Sequence, residues 1–168
     1  MCQPLAYDGV VTEPRWLDQR QQRAWRGHLA VAARLQAELN RRLQADAGLS
    51  LADFDVLVAL SERGDGGAPL RVTELAEALQ WEKSRLSHHL TRMQRRGLVG
   101  REDCPDDARG AFVVLSPTGR SAIEQAAPAH VAAVRELVFD GLDDAQVDAW
   151  AAVSDAVLAR IADAQSAG

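Results

Sequence analysis

Residues 83–101 read KSRLSHHLTRMQRRGLVGR, and the fold turns on how this stretch is interpreted. Six of its 19 residues are cations (Lys83, Arg85, Arg92, Arg95, Arg96 and Arg101), His88 and His89 add two imidazoles, and Asp and Glu are absent. The 168-residue chain carries a net −5, so with +6 here the remainder carries −11. From Asp140 to Gly168 the bias reverses, with six Asp against the single Arg160. A basic stripe on an acidic protein is a local electrostatic footprint: it attracts phosphate where it lies while the rest of the surface repels it. The plainer alternative is a solvated helix face.

Helical periodicity separates the stretch into two sides. At about 100° per residue, Leu86, Leu90 and Met93 share one face and anchor the helix. Ser84, His88, Arg92 and Arg95 project roughly opposite, flanked by Arg85 and Ser87. That outer face carries hydrogen-bonding and cationic groups and no large apolar side chain, which suits the major groove of DNA. Lys83 and Ser84, at the helix start, offer donors to phosphate. His89 lies at the edge of the apolar face, so packing and base contact are both open to it. Gly97 ends the helix and apolar Leu98 follows.

Upstream, Thr73 to Leu79 reads as a short helix with Glu74 and Glu77 near its positive end. Gln80-Trp81-Glu82 is a tight break between the two helices. Leu70-Arg71-Val72 suits a very short strand, and residues 63–69 a loop. Ser50-Leu51-Ala52-Asp53 is a capping box that opens a helix with Phe54, Leu57 and Val58 inward. A long helix from Arg15 to Ala45 precedes it, with Leu35, Leu39 and Leu43 at four-residue spacing and Gly48 as terminator.

Downstream, Leu98–Asp103 and Gly110–Leu115 read as two strands around a turn-rich tip, Cys104-Pro105-Asp106-Asp107-Ala108-Arg109. Ser116-Pro117 opens a helix toward Phe139 that Pro128 is expected to kink. A last helix follows a cap at Asp143-Asp144-Ala145-Gln146, with Val147, Trp150, Val157, Leu158 and Ile161 along it. The fold class is therefore mainly α: a winged helix-turn-helix with a small β-hairpin wing, plus long N- and C-terminal helices forming a dimerisation region. The expected divisions are a flexible arm (1–13), a dimerisation helix (14–49), the winged helix-turn-helix (50–115) and C-terminal dimerisation helices (116–168).

Composition narrows the class. The chain is 47% hydrophobic and 26% charged, enough apolar material for a true core. No apolar run approaches the roughly 20 residues that span a bilayer, and the N-terminus lacks the pattern of a secretory signal. Two cysteines, Cys2 and Cys104, make neither a disulfide framework nor a CxxC pair, so a reducing cytoplasm is expected and a structural zinc site is not. His88 and His89, adjacent on a helix, point about 100° apart and do not readily share a metal ion. No metal or cofactor is expected. Phosphate-loop, HExxH and nucleophile-elbow motifs are absent, which argues against an enzyme.

The segments Leu75–Leu79, Lys83–Ser87, Arg96-Gly97-Leu98-Val99, Pro105–Arg109 and Leu115–Arg120 resemble, in order and spacing, the MarR family of bacterial transcription regulators. The Asp107-x-Arg109 wing followed by Leu115-Ser116-x-x-Gly119 is the most specific part, and the resemblance extends from about Arg15 to Ile161. It implies a homodimer on a pseudo-palindromic operator, with recognition helices in successive major grooves and wing arginines in minor grooves. It assigns positions 84 and 88 to DNA contact and Arg109 to the wing, where Asp107 beside it would orient it. Glu82 departs from the pattern, which usually has a small capping residue there; a carboxylate repels phosphate unless paired, and Arg85 is the nearest candidate. His89 replaces a position that is usually aliphatic.

The residues argue for the dimer independently. Trp16, Leu29, Leu35 and Leu39 at one end, and Trp150, Val157, Leu158 and Ile161 at the other, exceed what a winged helix of about 65 residues covers. Folding back within one chain is the alternative. Family members often bind small aromatic or lipophilic acids, and Trp25, Arg26, His28 and Phe54 are candidates to line such a cleft, although aromatic residues at helical spacing also serve as core. The functional expectation is a ligand-responsive repressor that binds double-stranded DNA. The alternatives are a winged-helix protein–protein adaptor and a thiol-based redox sensor acting through Cys104 or Cys2.

Overall fold

The computed structural model describes residues 14–62, 69–103 and 111–167. The chain divides into two units, Met1–Arg34 and Leu35–Gly168. In chain order the elements are α1 (Gln19–Ala47), α2 (Leu51–Ser61), β1 (Leu70–Arg71), α3 (Val72–Leu79), α4 (Lys83–Arg95), β2 (Val99–Asp103), β3 (Ala111–Leu115), α5 (Pro117–Val134) and α6 (Asp144–Ser166). Among the described residues, no helix is long and apolar enough to cross a membrane. Nor do those residues contain a group of three or more His, Cys, Asp or Glu able to hold a metal ion. Cys2, Cys104, Asp107 and Arg109 lie outside the described residues, as do the arm 1–13 and most of the loop 63–69.

In the N-terminal unit, α1 begins at Gln19 rather than at Arg15 because Asp18 caps it. The Asp18 carboxylate accepts the Gln21 N–H at 2.8 Å, and the Gln21 side chain accepts the Asp18 N–H at 3.0 Å. Trp16, Leu17, Trp25, Leu29 and Val31 of this unit are exposed.

In the larger unit, α1 buries Leu39 and Leu43 and ends before Gly48, whose φ of +63° lies in the left-handed region that favours glycine. The Ser50 capping box is present: the Ser50 hydroxyl accepts the Asp53 N–H at 3.0 Å, and the Asp53 carboxylate accepts the Ser50 N–H at 2.9 Å. Phe54, Val56, Leu57 and Leu60 of α2 are buried, and Val58 is half-buried. They form one core with Leu75 of α3, Leu86, Leu90 and Met93 of α4, Val99 and Val113 of the sheet, and Ile123 and Ala126 of α5.

The sheet is antiparallel in the order β1-β3-β2, with Leu70 opposite Val113 and Val99 opposite Leu115. Gly100 is needed for the pairing of β2 with β3, since a Cβ there would crowd the Val114 methyl at 2.8 Å. α5 runs through Pro128 without ending. A π-helical turn follows at Arg135–Phe139. There Arg42 of α1 forks onto the Glu136 carboxylate at 2.8 and 3.0 Å while its Nε donates to Glu38 at 2.9 Å. The two arginines beside Glu38, Arg41 first and Arg42 second, hold its carboxyl down at about 2. Asp143 and Gln146 form the second expected cap, opening α6, and α6 buries none of its own residues.

Candidate nucleic-acid interface

α3 and α4 are the two helices of a helix-turn-helix. α3 stops at Gln80, which takes a left-handed conformation (φ +54°, ψ +39°) while its N–H and that of Trp81 close back onto Glu77 and Ala76. The chain then re-enters helix at Lys83. Glu82 occupies the N-cap in extended conformation, and its side chain makes no capping bond. Burial of Leu86 and the 3.0 Å bond from its N–H to the Glu82 carbonyl start the helix without one.

The outer face of α4 is as the periodicity places it. Lys83, Ser84, Arg85, His88, Arg92 and Arg95 are exposed, and Leu86, Leu90 and Met93 are fully buried. The side chains of Lys83, Ser84, His88 and Arg95 make no hydrogen bond or ion pair with the described residues. Ser87 is half-buried and donates its hydroxyl to the Lys83 carbonyl at 2.8 Å. Arg85 does not pair with Glu82; its guanidinium carbon lies 4.5 Å from the centroid of the Trp81 ring.

Two members of the basic stretch are engaged in the fold. Arg96 turns back onto α2, donating to the Asp53 carboxylate at 2.6 Å and to the Gly48 carbonyl at 2.7 Å. Arg92 donates to His89 Nδ1 at 2.9 Å. His89 itself is buried, with Nε2 at 3.1 Å from Asp53 Oδ1. Burial pushes the Asp53 carboxyl up, but the His89 ring beside it and the hydrogen bonds from Arg96 and Ser50 outweigh it and leave the group well below the usual carboxylate range. Asp53 is thus more than the cap that its sequence setting suggests.

The α4 exit is tied to α5. Gly97 has φ +73°, and the Ser116 hydroxyl donates to the Gly97 carbonyl at 2.6 Å while accepting the Gly119 N–H at 2.9 Å. A side-chain carbon on Gly119 would run into the Leu98 carbonyl oxygen.

This geometry has close counterparts of known structure. Sco3205 from Streptomyces coelicolor, a MarR family transcriptional regulator solved in complex with DNA, is 40% identical, with a TM-score of 0.81 over 87% of this chain and 90% of its own. The chain belongs to the MarR family of transcriptional regulators. The MarR family profile matches residues 47–110. AbsC from the same organism, also a MarR family regulator, is 39% identical, with a TM-score of 0.80 over 92% of this chain and 100% of its own. A mutant of MarR from E. coli complexed with operator DNA is 25% identical, with a TM-score of 0.72 over 84% of this chain and 99% of its own. No curated protein gives a significant sequence match.

The MarR resemblance in Leu115-Ser116-x-x-Gly119 has a physical basis in the serine and glycine that couple α4 to α5. The candidate effector residues fall in different places. Trp25 and His28 stack on each other along α1, ring centroids 5.7 Å apart. Phe54 is buried, 4.4 Å centroid to centroid from His130. His130 lines a cavity of about 140 Å³ with Leu39, Arg42, Leu43, Ala126 and Ala129. Burial lowers the His130 imidazole below its usual range, opposed by Asp55 nearby. Sequence reasoning gave Asp53 only as a helix cap and Trp81 only as part of the break between α3 and α4, and it missed His130 beside Phe54. Only His89 carried a signal, its place at the edge of the apolar face.

Proposed function

We propose that this MarR-family protein is a ligand-responsive repressor that binds a pseudo-palindromic operator in double-stranded DNA as a homodimer. The observation that carries the reading is the face of α4: Lys83, Ser84, Arg85, His88, Arg92 and Arg95 exposed together on a helix that holds no carboxylate, in a chain of net charge −5. Lys83 and Ser84 meet phosphate, and Arg85, Ser87, His88 and Arg92 face base edges in the major groove. Arg109, which lies between β2 and β3 in sequence, enters the minor groove with Asp107 beside it. DNA in the solved complexes of Sco3205 and the E. coli MarR mutant supports this reading.

The dimer draws support from the apolar residues left uncovered in the protomer: Trp150, Val153, Val157, Leu158 and Ile161 on α6, and separately Trp16, Leu17, Trp25, Leu29 and Val31 in the N-terminal unit. Residues 14–49 and 116–168 then serve dimerisation and 50–115 DNA binding. A twofold axis sets the two recognition helices roughly 34–36 Å apart, one turn of DNA. A small aromatic or lipophilic effector rests on the family resemblance alone, since Trp25, His28 and Phe54 do not line the cavity of about 140 Å³ beside His130.

Selection of bound duplexes from a random DNA pool tests the reading. The expected result is a pseudo-palindrome whose affinity falls steeply between low and moderate salt. Arg109→Ala then weakens binding to all sequences, and His88→Ala shifts base preference by about 1–3 kcal/mol at one pair. No enriched sequence, or equal binding by wild type and both variants, overturns it and leaves the adaptor reading.

A further inference from the structure

Behind the exposed face of α4 lies a connected set of side chains. Arg85 rests over the Trp81 ring at 4.5 Å. Trp81 meets His89 edge to face, centroids 5.5 Å apart and ring planes at 82°. His89 Nδ1 lies 2.9 Å from Arg92 Nη2, and its Nε2 lies 3.1 Å from Asp53 Oδ1. Asp53 is itself held by Arg96 and by the Ser50 N–H. An arginine N–H only donates, so Nδ1 is the acceptor and the ring proton sits on Nε2, which lies close to the carboxylate without being aligned to hydrogen-bond with it. Two outward arginines are therefore held from behind, one by an aromatic face and one by a lone pair, and the His89 ring that links them lies against Asp53 of α2.

We propose that His89 and Trp81 are positioning residues for DNA recognition: they set the directions of Arg92 and Arg85 before the duplex arrives. The proposal rests on the reading that the α4 face binds duplex DNA. A free arginine surrenders rotamer freedom when it binds, and one already held surrenders less, so affinity and base choice gain without a new contact to DNA. A purely space-filling His89 has no such effect, since an aliphatic side chain fills the same volume.

The test measures equilibrium binding of the intact protein to a duplex selected from a random pool and to an unrelated duplex. His89→Leu is expected to weaken the selected duplex about tenfold and the unrelated one far less, and Arg92→Ala to add little once His89→Leu is present. His89→Gln, which keeps an acceptor and a donor, recovers most of the loss. Trp81→Phe, which keeps a ring face under Arg85, binds better than Trp81→Leu. Without DNA, long-range ¹H–¹⁵N spectra show His89 protonated on Nε2, with an Nδ1 shift that moves in Arg92→Ala. Melting curves confirm that each variant is folded. Additive losses for His89→Leu and Arg92→Ala, or an Nδ1-protonated His89, overturn the positioning role alone. A wild-type protein that binds no duplex overturns the DNA reading and this role with it.

Discussion

Asp53 receives the Ser50 N–H and Arg96 Nη1, with His89 Nε2 3.1 Å away, while its side chain is almost wholly buried. A carboxylate taken out of water in this way is stable only while those partners are in place. Its proton affinity in the folded protein is depressed, so it adds stability above the ordinary aspartate value of about 3.9 and loses it as pH falls below that. Acid titration of the unfolding free energy is expected to show a decline beginning near pH 4. Asp53→Asn should cost about 2 kcal/mol at neutral pH and flatten that decline. A neutral-pH stability equal to wild type contradicts this. Of this cluster, the sequence displays the cap, because Ser50 and Asp53 stand three residues apart. The Arg96 bond spans 43 residues and leaves no local trace.

Between elements, the junction of α4 and α5 is the most tightly specified. The Ser116 hydroxyl serves both helices, and Gly119 lets the first turn of α5 rest on the Leu98 carbonyl. Gly119→Ala pushes a methyl group into backbone, so α5 must shift and the core around Leu98 and Ile123 opens. The expected loss is about 2–3 kcal/mol, read from chemical denaturation. Helix starts were legible at the caps Ser50, Ser116 and Asp143, but not at Asp18, whose cap with Gln21 starts α1 later than the expected Arg15. The α4 start at Glu82 was harder to read because buried Leu86, rather than a cap, holds it. The π-helical turn at Arg135–Phe139 left no local signal, and the Arg42–Glu136 bond made there spans 94 residues.

Across the whole molecule, apolar surface and charge are both unevenly distributed. α6 buries nothing in the protomer yet carries Trp150, Val153, Val157, Leu158 and Ile161. On the proposed homodimer, wild type sediments as a dimer and Leu158→Asp is expected to give monomers in sedimentation velocity. It should also abolish operator binding at concentrations where wild type saturates, because one recognition helix alone spans half a site. A dimeric Leu158→Asp protein sinks this expectation.

The sequence by itself determined which side of α4 faces inward, where most helices begin, and that the positive charge gathers in one place. These are local matters, set by a 3.6-residue period and by caps a few residues long. Tertiary structure alone decided that Arg96 turns inward while Arg95 stays out, that Arg85 lies over Trp81, and that His89 stands between Asp53 and Arg92. Each of these depends on which groups from distant segments meet a side chain. Buried charges take whatever partner the packed fold supplies, because leaving them without one costs more than the contact itself returns.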